Sequence, residues 1–173
     1  MFIKYVLPTL LLLLLMISCG PSKKTAIITN SKALKTTSAP SKSTATDRIA
    51  NNIIQYAKTF NGTRYKYGGT TKKGMDCSGL IYTSFKKENI VLPRTSRAMS
   101  TQGEWIPLRK AEKGDLVFFK TSKKKNVINH VGLIVEHGSS LKFIHASVSK
   151  GVVVSSLDEK YWNNCFAGVR RVL

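Results

Sequence analysis

Cys77, His130 and His145 are the residues of this 173-residue chain best suited to chemistry. Cys77 sits in Gly74-Met75-Asp76-Cys77-Ser78-Gly79, where a helix is expected to begin. A thiol at a helix start feels the positive end of the helix dipole and unpaired backbone N–H groups, which favour the thiolate. His130 and His145 each stand at the edge of a strand candidate. A Cys at a helix start that faces a His on a sheet is the arrangement of a cysteine hydrolase. Plainer readings exist for each residue. A lone Cys is more often a small buried apolar residue. His130 could bond backbone at a strand end, and His145 could be a core residue satisfied by Ser147. His137, in Glu136-His137-Gly138, reads as a turn residue. The Cys and His spacings of a structural zinc site are absent, so no metal is expected.

The elements that must position these residues follow from periodicity. Thr46 or Asp47 can cap a helix running to about Phe60, with Ile49, Ile53, Tyr56 and Phe60 on one face. Arg64 to Thr71 reads as a glycine-containing loop. A second helix begins at Cys77 or Ser78 and ends near Asn89, with Leu80, Ile81 and Phe85 as its apolar face. Pro93 breaks the chain, and Thr95 can cap a short helix to about Thr101. The texture then changes to short apolar runs at 116–119, 131–135, 142–145, 152–154 and 166–169, separated by Gly, Asn, Ser and Lys. Helices first and strands later predict an α+β domain, with an antiparallel sheet packed on the helices.

Ahead of this domain, residues 1–18 read as an export signal. Lys4 precedes an apolar run from Val6 to Met16 that is too short for a comfortable membrane span. A small residue then sits just before Cys19. The combination resembles a bacterial lipoprotein signal, which implies a lipidated Cys19 as the first residue of the mature chain. Residues 19–46 read as the lipidated Cys and a flexible Lys/Ser/Thr-rich linker, reaching about 30 Å on average. Residues 47–173 form the folded domain.

Several segments of that domain resemble the NlpC-type cell-wall cysteine peptidases, a papain-like superfamily, and within it the lipoprotein murein endopeptidases. They are Gly62 to Gly79, Leu92-Pro93-Arg94-Thr95-Ser96, Gly114 to Phe119, His130-Val131-Gly132, His145-Ala146-Ser147, Gly151 to Ser156, Tyr161-Trp162 and the terminal Arg170-Arg171-Val172-Leu173. The resemblance covers about residues 48–173 and keeps the family's motif order. It implies a papain-like fold with N-terminal helices on a central antiparallel sheet. It implies Cys77 as nucleophile, His130 as general base and His145 as the third polar residue that holds the His130 ring. Tyr65 is implied near the developing oxyanion. Asp76 and Ser78 resemble positions that grip the stem peptide of peptidoglycan. Arg94 is either structural or on the substrate side. The implied reaction is endopeptidase cleavage of D-alanyl–diaminopimelate cross-links, with cleavage of D-γ-glutamyl–diamino acid bonds within one stem as the alternative. A non-catalytic wall-binding lipoprotein is a further reading. No cofactor is required. A lipid-anchored monomer at the outer membrane, facing the periplasm, is expected.

Composition narrows the partners. The net charge is +19, and residues 47–173 carry 22 basic and nine acidic residues, a net +13. No carboxylate cluster suits a calcium site. Such charge favours an anionic partner. Nucleic acid is not expected, because no stacking motif or helix-turn-helix pattern accompanies the charge. An acidic wall polymer fits better. Three cysteines make no disulfide framework. Cys165 is expected to be unpaired and buried near the C-terminal strand. The basic loop Lys123-Lys124-Lys125 could reshape the rim of the cleft.

Overall fold

A computed structural model describes residues 44–122, 124 and 126–173. The expected export signal, the lipidated Cys19, the linker up to residue 43, and Lys123 and Lys125 lie outside the described residues. No helix among the described residues is long and apolar enough to cross a membrane.

Helix α1 (Ala45–Lys58) starts ahead of the expected cap. Thr44 Oγ1 accepts the Asp47 N–H at 3.1 Å, and the Asp47 carboxylate accepts the Thr44 N–H at 2.9 Å. This reciprocal box makes Asp47 the third helical residue, so Thr44 is the cap and neither Thr46 nor Asp47 is. The buried face is Ala50, Ile53, Ile54 and Ala57, with Phe60 following and Ile49 and Tyr56 packed at its rim.

A two-residue hairpin, β1 (Thr70–Thr71) and β2 (Gly74–Met75), leads into α2 (Cys77–Lys86). The expected loop therefore contains a small piece of sheet. Beyond α2 the chain turns at Asn89, whose φ of 61° places it in the left-handed region that Asn tolerates. Thr95 caps α3 (Ser96–Met99) by accepting the Ala98 N–H, as expected.

The main sheet contains β3 (Glu104–Ile106), β4 (Leu116–Phe119), β5 (His130–Glu136), β6 (Lys142–Ser147), β7 (Gly151–Ser156) and β8 (Phe166–Arg171). Its order is β3-β8-β4-β5-β6-β7, and every neighbouring pair is antiparallel. Helix α4 (Lys160–Cys165) connects β7 to β8. Sequence patterning found the five apolar strands. It missed β3, whose Glu104 and Trp105 are exposed, and α4, whose one buried residue is Trp162.

Both faces of the sheet are covered. Leu116, Phe118, Val131, Leu133, Ile144 and Ala146 pack against Ile53, Ala57, Leu80, Ile81 and Phe85 of α1 and α2. The alternate residues Val117, Phe119, Ile134, Phe143 and Val169 pack with Leu141, Leu157 and Trp162 on the other side. This is period-two alternation with apolar residues on both faces, which is why the strands read as continuous apolar runs. Phe85, Phe118, Phe119 and Phe143 are completely buried, each worth roughly 1.5–3 kcal/mol of burial free energy.

Candidate active site

Asp76 ends the β1–β2 hairpin and caps α2. Its Oδ1 accepts the Gly79 N–H at 2.6 Å, and its Oδ2 accepts the Gly68 N–H at 2.7 Å. The next residue, Cys77, is thereby fixed at the first turn of the helix. Arg94 clamps the same carboxylate through two parallel bonds of 2.9 Å, from Nη1 to Oδ1 and from Nη2 to Oδ2. Arg94 also donates to Ser78 Oγ at 2.9 Å and to the Gly69 carbonyl at 3.3 Å. Ser78 Oγ donates to Asp76 Oδ1 at 3.2 Å. Gly79 is required here, because a Cβ would collide with the Gly69 carbonyl oxygen and crowd Arg94. Burial alone would raise the Asp76 carboxyl. The Arg94 fork and the Gly79 and Gly68 N–H groups outweigh it and hold the group below the usual carboxylate range.

The fork ties Arg94 into the scaffold beneath Cys77. Asp76 has its acceptor capacity filled from within the protein, which leaves it little to grip a ligand with. Ser78 and Arg94 still line a cavity of 480 Å³ together with Tyr65, Cys77 and Asn129. Tyr65 is held there because Lys66 N–H bonds the Met75 carbonyl and Met75 N–H bonds the Arg64 carbonyl, each at 3.1 Å. Partial burial raises the Tyr65 hydroxyl, and the nearby Cys77 and Asp76 raise it further.

Cys77 packs on the α2 side of the sheet, while the two histidines face the other side. They can approach only at the sheet's end, and His130 is the first residue of β5. The backbone N–H of Val131, the residue after His130, favours the ionised form of the Cys77 thiol. His130 Nε2 lies 3.0 Å from His145 Nδ1, and His145 Nε2 lies 3.2 Å from Ser155 Oγ. If His130 Nδ1 is to accept a proton, Nε2–H donates to His145 Nδ1, and His145 Nε2–H donates to Ser155. One tautomer assignment satisfies the whole chain.

Trp162 covers this chain. Its ring stacks on His130 at 5.3 Å with a 23° interplanar angle and meets His145 edge-on at 4.6 Å. The histidines are 9% and 1% exposed. Burial pushes His130 down to about 4. Burial, then the His130 and Lys150 charges, push His145 down to about 3. Burial pushes the Cys77 thiol up, with the Asp76 charge adding, against N–H groups of Val131, Ser78 and Cys77 that lower it. At this thiol desolvation outweighs the N–H groups of the helix start.

Ser155 and Trp162 lie in segments of the resemblance, but neither carried an expected role. Ser155 has a recoverable signal, since β6–β7 pairing sets His145 opposite Val153, and Ser155 is two residues along the same face. Trp162 has only the Tyr161-Trp162 motif and no positional signal, because its contacts come from a short polar helix folding back over the sheet. Cys165 is free and at the start of β8 as expected, but it is half-buried rather than buried, because it ends α4 at the surface. Size does not mark the site. A larger hollow of 670 Å³ between the start of α1 and the C-terminal residues holds none of these side chains.

The NlpC/P60 family profile matches residues 62–171. A Haemophilus influenzae protein named "Probable endopeptidase NlpC homolog" is 44% identical over 113 residues, 65% of this chain and 57% of that protein. The Escherichia coli K12 "Murein DD-endopeptidase MepS/Murein LD-carboxypeptidase" is 34% identical over 126 residues, 72% of this chain and 64% of that protein. The chain thus spans about three-fifths of the length of these relatives. A crystal structure of a Bacillus cereus NlpC/P60 family protein superposes with a TM-score of 0.66 at 32% identity, over 72% of this chain and 40% of that one. The α+β fold and the match from the loop ahead of β1 to the end of β8 agree: this chain belongs to the NlpC/P60 family.

Proposed function

We propose that this protein is a cysteine-type peptidoglycan endopeptidase that cleaves the D-alanyl–diaminopimelate cross-link. The observation that carries the reading is the hydrogen-bonded His130–His145–Ser155 chain, whose first member adjoins Val131, the residue whose N–H favours ionisation of the Cys77 thiol. His130 takes the thiol proton as Cys77 attacks the scissile carbonyl, which forms a C–S bond and a tetrahedral oxyanion. The Cys77 backbone N–H and the Tyr65 hydroxyl stabilise that oxyanion. His130 then gives the proton to the leaving amine as the C–N bond breaks. It next activates water, which hydrolyses the thioester. His145 keeps the His130 ring in the required tautomer. The Asp76–Arg94 fork holds the helix start, and Ser78 and Arg94 contribute the wall of the acyl-side cavity.

The relatives' printed names, endopeptidase and murein DD-endopeptidase, support the substrate class and the bond. The net charge of +13 on residues 47–173 supports approach to an acidic polymer, so the rate should fall with added salt. The lipoprotein-like signal supports anchoring through Cys19 at the outer membrane, facing the periplasm. Incorporation of labelled palmitate into the wild type, and none into Cys19→Ala, is expected. Digestion of purified muropeptides followed by mass spectrometry tests the bond. Conversion of cross-linked dimers to monomers is expected; release of dipeptide from single stems would instead assign the γ-glutamyl bond.

A further inference from the structure

A second cavity, of 410 Å³, is lined by His130, His145, Lys150, Glu159 and Trp162, whereas Cys77 lines the other. The chemistry gives these two hollows different tasks. The acyl half of a substrate stays bonded to Cys77. The leaving half takes its proton from His130 and must pass along that ring.

Lys150 sits in the turn between β6 and β7. Its own N–H bonds Ser147 Oγ at 3.3 Å, and Gly151 follows with a φ of 71°, where a Cβ would also strike the Thr63 carbonyl. The turn is therefore held in place. The Lys150 ammonium has no ion-pair or hydrogen-bond partner among the described residues, yet its charge reaches His145. Glu159 lines the same cavity without pairing with Lys150, and one of its oxygens already accepts the Ser156 N–H at 2.9 Å. An unpaired cation at a fixed turn, beside the base that serves the leaving group, fits an anion on that group.

We propose that this cavity is the leaving-group subsite, and that Lys150 there recognises a free carboxylate on the leaving amino acid. The proposal rests on the hydrolase reading above. It selects a diamino acid whose carboxylate is unmodified over the same residue with that carboxylate amidated.

The test uses the full domain and two matched muropeptides that differ only in whether the leaving diamino acid carries a carboxylate or its amide. The wild type should cleave the acid with a kcat/KM about fivefold above the amide, the scale of one partly exposed charge contact. Lys150→Gln should bring that ratio close to one, chiefly through KM for the acid, and Lys150→Arg should restore it. Equal cleavage of both substrates by the wild type, or an unchanged ratio in Lys150→Gln, overturns the subsite. Cleavage of neither by the wild type is a different result, because it overturns the hydrolase reading and the subsite with it. Lys150 is exposed, so circular dichroism of the variants should match the wild type.

Discussion

The described residues contain two arginine–carboxylate forks, one end-on through Nη1 and Nη2 of Arg94 and one side-on through Nε and Nη2 of Arg171. Arg94 holds Asp76 with two bonds of 2.9 Å, and Arg171 holds Asp115 with two bonds of 2.9 Å. In each the carboxylate is buried and the arginine side chain is about one-third exposed, 35% for Arg94 and 31% for Arg171. In each the carboxylate also closes a local turn, Asp76 on the Gly79 N–H and Asp115 on the Glu112 N–H. What differs is what the turn leads into. The Asp76 turn starts the helix that carries Cys77. The Asp115 turn leads into β4, and Arg171 ties the end of β8 to it. The same device thus holds the helix start at Cys77 in one place and closes the sheet in the other, so chemical type alone does not reveal a functional role.

Replacing the arginines separates the two. Arg94→Ala and Arg171→Ala each strand a buried carboxylate, and each should lose about 2–4 kcal/mol of stability in urea unfolding. Measured well below both midpoints, Arg94→Ala should lower kcat/KM about 100-fold, because the helix start that aims Cys77 is loosened. Arg171→Ala should stay within about twofold of wild type. Equal activity losses would erase the distinction.

Acid should also discriminate. His130 and His145 are held neutral in the fold, near 4 and 3, and protonate near 6.5 when unfolded. The unfolded chain therefore binds more protons between these values. Stability is full above about pH 6.5 and falls as the pH drops toward 4, by about 2 kcal/mol per ring at pH 5. Urea titrations at pH 7 and pH 5 should show this loss. It should shrink in His145→Gln and persist in Arg171→Ala, since the distant fork contains no histidine.

A smaller effect is expected at Trp162. Trp162→Leu removes the ring stacked on His130 and should lower kcat/KM about tenfold while moving the acid limb of its pH profile. Trp162→Phe should recover most of that loss. A purely structural role would lower the melting temperature and leave the limb in place. The smallest effect is expected at the exposed Lys142–Glu136 pair, whose side chains are 43% and 56% exposed. Lys142→Ala should change stability by less than about 1 kcal/mol.

Much of this was legible before any coordinates. Cys77, His130 and His145 stood out by residue type and by the motifs around them, and the apolar runs of β4 to β8 gave the sheet. What was not legible has physical reasons. The Thr44 cap depends on Asp47 three residues on, but Ile49, the first apolar residue of the period, drew the expected start to Thr46 or Asp47. β3 is short and half polar, so it has no apolar signature, and its pairing with β8 is set by the partner. The burial of Cys77, which raises its thiol, depends on how deeply α2 packs. Arg94 could be assigned to the scaffold only once the geometry of its fork was known.

The central claim is that Cys77 is the nucleophile served by His130. Wild type and Cys77→Ala, matched for folding by circular dichroism, should be incubated with cross-linked muropeptides and the products resolved by mass spectrometry. The account predicts dimer cleavage by the wild type and none detectable by Cys77→Ala. Cleavage at a comparable rate by Cys77→Ala would contradict it.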